Sequence, residues 1–293
     1  MKTNYLLAVM LLSASFFASC EEGDSGKQTS KSALSIVANV ETRASKTTFV
    51  SGDELGIFLL DAEGNPYSSG NSSNNKAVLT ESWTLTNEVL LTDEIGKVYA
   101  YYPYSGQVTD LKQIPIASSS QEDYLYSVPA TVDAVSPTAT LRMKHALSLV
   151  KFVIKKDGYP GEGHITELHL KGIGLSGTMD AMTGNVTTLT TGNEKYKGSF
   201  YLDESDPLAI GIIAFPQFVS ETTATVVIDG VNYGYKLVSS DWEEGKETTY
   251  TLKIDPASRS LITIGTATID SWGSGGSYEG DLVSGGIDIG TEV

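Results

Sequence analysis

The side chains of this 293-residue sequence best able to do chemistry are three histidines, one cysteine and 36 acids. His145, His164 and His169 stand singly, without the His-x-x-x-His or Cys/His spacing that brings two ligands to one metal, so no zinc site is expected. His169, between Leu168 and Leu170 on the outer face of a strand, and His145, at the border of two strands, read as structural histidines. The pairs Glu122–Asp123 and Glu243–Glu244 have the functional groups of a glycosidase couple. Among 36 acids such neighbours arise by chance, and they read as solvated loops. Asp61 to Pro66 holds acids but lacks the spaced carboxylates and closing Glu of a calcium loop. No G-x-S-x-G elbow and no G-x-x-x-x-G-K-[ST] phosphate loop occurs. Trp83, Trp242 and Trp272 have rings that can stack on sugars, but the strand patterns beside Trp83 and Trp272 favour core or rim packing. The expectation is a protein that is not an enzyme and needs no cofactor or metal.

Two other residues offer covalent processing of the chain itself. Cys20 follows a short positive start at Lys2, an apolar run from Tyr5 to Phe17 and the small residues Ala18 and Ser19. The run is too short for a stable membrane span, which takes about 20 apolar residues, so residues 1–19 read as a signal peptide. Phe17-Ala18-Ser19-Cys20 resembles the lipobox of bacterial lipoproteins, in which the cysteine becomes the lipidated first residue; Phe17 stands where Leu is commonest. An unpaired cysteine in an exported chain gains a purpose by that reading. Arg43 lies in the polar run Glu41 to Lys46, three residues beyond Val40. A trypsin-like protease would hydrolyse the bond between Arg43 and Ala44.

The element ahead of Arg43 gives that bond its interest. In Leu34 to Val40, Leu34, Ile36, Ala38 and Val40 alternate with Ser35, Val37 and Asn39, the period of a half-buried strand. Two readings stand: an ordinary first strand, or a strand displaced after a cut at Arg43 so that another chain fills the groove. Residues 20–32 are polar and charged and read as a tether. Its Glu21, Glu22 and Asp24 are either a surface-export signal or a solubilising spacer.

From there the chain reads as all-β. The apolar run Leu55–Leu60 is suited to a strand buried on both faces, and further strands are expected over Ala77–Leu85, Lys97–Pro103 and Thr138–Lys144. Ile114 to Ser136 reads as a long connection pinned by Tyr124-Leu125-Tyr126. Strands over Leu147–Lys155, Ile165–Leu170, Ala209–Phe215, Thr248–Ile254 and Leu261–Trp272 follow, with turns at Gly172 to Gly177 and a hairpin end over Met179 to Val186 that turns at Thr183-Gly184-Asn185. Asp229-Gly230 joins Ala224–Ile228 to Val231–Val238 as a hairpin. The expected division is two sandwich domains, 33–138 and 139–272. Residues 273–293 form a Gly/Ser-rich linker in which Ile287, Ile289 and Val293 alternate to the last residue, either one more strand or a disordered tail. A formal net charge of −16 argues against nucleic acid and anionic lipid surfaces as partners.

The order and spacing of FASC, ETRASKTTFVSGDELGIF, VYAYYPYS, RMKHALSLVKFVI, LSGTMDAMTGNV, IIAFPQ and ATIDSWGSGG resemble the fimbrillin-type subunits of type V pili over nearly the whole chain. The resemblance implies two transthyretin-like β-sandwich domains in tandem and export as a lipoprotein held in outer-membrane lipid through Cys20. It implies removal of Leu34, Ile36, Ala38 and Val40 with the first strand after Arg43, and polymerisation with other subunits by donor-strand insertion. The expected site is the cell surface, in a fimbrium that adheres to a host or bacterial receptor. The terminal segment with Ile287, Ile289 and Val293 goes beyond the common pattern and is the candidate donor strand. The alternatives are a non-polymerising surface lipoprotein that binds a glycan or host protein, and an anchor or tip subunit.

Overall fold

A computed structural model describes residues 30–40, 48–220, 222–264 and 266–272, and the backbone of 283–287. Over these residues the fold is all-β, as expected, with a single turn of 3-10 helix and no α-helix.

The alternating opening stretch breaks at Leu34 into β1 (Ser32–Ala33) and β2 (Ser35–Val40). β3 (Glu54–Leu60) is the continuous apolar run, and from Leu55 onward every residue is buried. The strand expected over Ala77–Leu85 is two, β4 (Asn75–Leu79) and β5 (Trp83–Leu85), because the chain turns where Thr80 N donates to Ser82 O at 3.1 Å. Next come β6 (Leu90–Leu91) and β7 (Gly96–Tyr102). The segment expected to be a connection holds β8 (Ile114–Ala117), the 3-10 turn Ser118–Ser120, β9 (Leu125–Val128) and β10 (Ala130–Val132). β11 (Thr138–His145) ends this part.

β12 (Ser148–Lys155) opens the rest. β13 (His164–Met179) runs straight through the glycines expected to turn the chain, absorbing them as bulges between Leu170 and Ile173 and between Gly174 and Ser176. A Cβ at Gly174 would lie 2.7 Å from the Phe215 side chain, so close packing rather than a turn demands glycine there. Then follow β14 (Val186–Tyr201), β15 (Leu208–Ala214), β16 (Gln217–Val219), β17 (Thr223–Ile228), β18 (Val231–Lys236) and β19 (Ser240–Trp242). Asp229 and Gly230 both take positive φ, +50° and +74°, as the two-residue β17–β18 turn requires. β20 (Lys246–Asp255) precedes β21 (Ser260–Thr263) and β22 (Thr268–Ser271), two short strands where one was expected, and then β23 (Val283–Ile287).

One sheet has the order β2-β11-β9-β7-β3-β4-β5, with β10 on β7. The other has the order β15-β12-β20-β21-β18-β17-β13-β14-β23, with β22 on β20 and β8 on β13. β1–β6 and β16–β19 are separate ladders. The division expected at 138/139 falls inside β11, after its first residue, and β11 is bonded in the first sheet between β2 and β9; the change of sheet comes between His145 and Ser148. A core of Leu55, Ile57, Leu59, Val98, Leu141 and their neighbours underlies the first sheet, and one built on Phe152, Leu168, Ile210, Val226 and Tyr250 underlies the second. A third joins Phe58, Tyr101 and Tyr126 to Leu149, Ile213 and Trp272, so residues of both sheets share it.

Candidate functional site

β2 occupies the edge of its sheet. It pairs parallel with β11 in the register Ile36 opposite Ala139, Ala38 opposite Leu141 and Val40 opposite Met143. Its other edge has no hydrogen-bonded strand partner among the described residues, although β5 lies close to it. The inward side chains nevertheless belong to the core: Leu34, Ile36 and Ala38 are buried beside Leu55, Ile57, Ala100 and Leu125. Val40 is only half-buried, so the strand's C-terminal end holds least firmly. Leu34 N donates to Val89 O and Ser35 N to Pro137 O, both at 2.9 Å, where the chain crosses from the β1–β6 ladder to β11. Burial of Leu34 and Ile36 stabilises by about 1.5–3 kcal/mol each, with smaller amounts from Ala38 and Val40.

Arg43 and Ala44 lie outside the described residues, as do Cys20, Ile289 and Val293. Of the candidate donor segment, the backbone from Val283 to Ile287 is described, and it extends the second sheet rather than the first. Ile287 pairs with Glu194 and Val283 with Lys197, antiparallel on the outer edge of β14. β2 and the described part of the candidate donor are therefore both edge strands, on different sheets.

Residues 42–272 match the protein family described as fimbrillin-like. The chain belongs to the fimbrillin-like family. That family is a structural one, not a family of enzymes. Among solved structures, a candidate cell adhesion protein of Bacteroides ovatus is 19% identical with a TM-score of 0.66, over 82% of this chain and 98% of that one. A second, from Bacteroides uniformis, is 18% identical with a TM-score of 0.63, over 83% and 99%. A fimbrial protein of Bacteroides vulgatus is 14% identical with a TM-score of 0.51, over 82% and 99%. At such identities the likeness is one of fold. No curated protein matches the sequence. Leu34 to Val40 precedes the family match.

Sequence reasoning missed the polar contacts that seat the first sheet of this fimbrillin-like chain on the second. Asp123 and Glu244, each expected in a solvated acidic pair, are not. Asp123 Oδ1 lies 2.8 Å from His145 Nδ1 in the interior, with His145 stacked on Trp272 at 4.3 Å between ring centroids. Tyr126 Oη donates to Glu244 Oε1 at 2.6 Å. Gln121 donates to Ile213 O at 3.0 Å and accepts from Ile213 N at 2.9 Å. An acidic doublet gives no signal of which member turns inward.

Burial pushes the Glu244 carboxyl above its ordinary value of 4.5, against the pull of the Tyr126 hydroxyl and the Lys144 charge. A raised carboxyl holds its proton longer in the folded chain than in the unfolded one. Its contribution to stability is therefore complete below the ordinary carboxyl range and declines as pH rises through the raised folded value. Glu244→Gln keeps an acceptor for Tyr126 and removes the charge. Its urea midpoint should gain on the wild-type value as pH rises from 4 to 7, and a difference that stays flat with pH would contradict the assignment.

Proposed function

We propose that the chain is a subunit of a cell-surface pilus, built from two transthyretin-like sandwiches in tandem and serving adhesion. It is exported as a lipoprotein held in the outer membrane through Cys20. It is cut between Arg43 and Ala44, and it assembles by insertion of a strand from another subunit.

The observation that carries this reading is the position of β2. A strand that fills core positions while hydrogen-bonded to a single strand of its sheet can leave by giving up that pairing and the two-residue β1–β6 ladder that departs with it, and what it leaves is an apolar groove beside the open backbone of β11. Such an edge is a template for another chain, and an incoming strand restores both the main-chain bonds and the alternate burial. Before the cut, covalent attachment keeps β2 at high effective concentration in its own groove, so the precursor stays monomeric. The pairing of Val283–Ile287 with β14 supports the tail as a segment able to add as a strand. Ile287, Ile289 and Val293 have the alternate spacing to enter the groove, and the Gly/Ser run before them gives the reach.

The test is the state of the protein on cells. Mature subunits should begin at Ala44 by mass spectrometry and run as high-molecular-weight ladders after mild heating. Deleting Ser284 to Val293 should leave a subunit that folds and is cut but builds no ladder. Mature protein that retains its lipid, starts at Cys20 and stays monomeric would overturn the reading. Normal ladders from the deletion would overturn only the choice of donor.

A further inference from the structure

The chain contains three arginines, Arg43, Arg142 and Arg259, so an arginine-specific protease has three bonds to choose from. Arg259 sits in the turn between β20 and β21 with φ +52°, and its carbonyl accepts from Gly234 N at 3.2 Å. A left-handed residue in a bonded turn does not present the extended backbone that a protease cleft pairs with. Arg142 differs. It is extended, its side chain is exposed, and its main chain lies between Asn39 of β2 and Val128 of β9.

The two edges of β11 are not equally held. β9 pairs only with Arg142 to His145, whereas β2 pairs with Thr138 to Met143. Ala139, Thr140 and Leu141 precede the scissile bond and would lie in a protease's subsites. Among the described residues they have β2 as their only strand partner. When β2 departs, that run keeps only the side-chain burial of Ala139 and Leu141.

We infer that Arg142–Met143 is a second, conditional cleavage site, masked by whichever strand fills the groove and opened when the groove stands empty. Water adds across this amide, leaving a carboxylate on Arg142 and an ammonium on Met143, and the severed strand cannot rebuild the groove floor. A subunit that has lost β2 and received no donor is thereby destroyed by the same class of protease that activated it, while a filled subunit survives. The inference rests on the processing reading for its biological setting. The site itself is testable without that reading.

The experiment uses the full chain and an arginine-specific endoprotease that spares lysine, followed by intact mass. Wild-type chain should be cut first after Arg43 and then after Arg142, with Arg259 slowest. Arg43→Lys should remain intact at Arg142 over the same period, a difference of at least tenfold in rate. Adding Ile36→Asp to Arg43→Lys puts a charge into the buried face of β2, and should open Arg142 while Arg259 stays closed. If both sites open together the variant has unfolded, and Arg43→Lys/Val40→Asp, which loosens only the end of β2 opposite Met143, decides by the same criterion. Cutting at Arg142 in Arg43→Lys as fast as in wild type overturns the inference. So does a result in which neither loosened variant opens Arg142 ahead of Arg259. If Arg43 survives in the wild-type chain while a loosened variant opens at Arg142, the processing reading fails and the conditional site stands.

Discussion

Arg43→Ala should abolish polymer: the protein should reach the cell surface, elute as a monomer and give no ladder on a mildly heated gel. The expected size of the effect follows from competition for one groove. The uncut strand competes at an effective concentration of order millimolar. A donor presented by free subunits at about micromolar concentration is disfavoured by roughly a thousandfold, near 4 kcal/mol, before any difference in fit. Leu34, Ile36 and Ala38 already occupy buried positions, so an incoming strand of similar residues gains nothing that would reverse the disadvantage. Cutting removes the tether and lets the strand dissociate for good. Ladders of normal length from Arg43→Ala would eliminate the cleavage step and leave the groove without a way of opening.

The parts of this mechanism differ in how far they could be read from residues alone. Alternation over Leu34 to Val40 is enough to assign a face to each side chain, and Ile36 and Ala38 are buried while Val37 is exposed. Period alone carries no information about the partner, so parallel pairing with β11, far along the chain, lay beyond it. The turn at Thr183-Gly184-Asn185 marks where β14 begins, but its course was not foreseen: Thr187 to Thr191 are exposed, and a strand with little buried on either face has no periodic signal to offer. The glycines of β13 gave a false one. Turn chemistry and close approach of an aromatic ring both select glycine, and only the position of Phe215 separates them. At the Asp229-Gly230 hairpin the two residues demand positive φ and nothing else competes, so the local reading held. Cys20 and Arg43 belong to another category, since lipidation and proteolysis are read by enzymes from short sequence and need no fold to be recognised.

Lys151→Met should lower stability by about 3–5 kcal/mol, the usual cost of leaving a buried charge without its partner. Lys151 Nζ lies 2.8 Å from Glu247 Oε1, with the two side chains only 6% and 4% exposed. The sequence put Lys151 in a strand and left Glu247 just ahead of one, without pairing them; the parallel β12–β20 register does so, setting Leu149 opposite Glu247 and Lys151 opposite Thr249. On its other side Lys151 faces Gly211 of β15, and the small neighbours leave room for the long side chain to lie along the sheet toward Glu247. Glu247 also stands opposite Asp270 of β22, so without the ammonium two carboxylates share neighbouring positions with no cation between them, and like charges directly opposite are destabilising. Thr249 Oγ1 still donates to Glu247 at 3.1 Å and offsets a part of the loss. The paired change Lys151→Met/Glu247→Leu removes both charges and fills the space with apolar volume, and should recover most or all of the stability. Urea midpoints at constant slope would measure both variants. A single variant as stable as wild type would mean that water reaches Glu247, and a double variant no better than the single would mean that shape, rather than charge, sets the cost at this position.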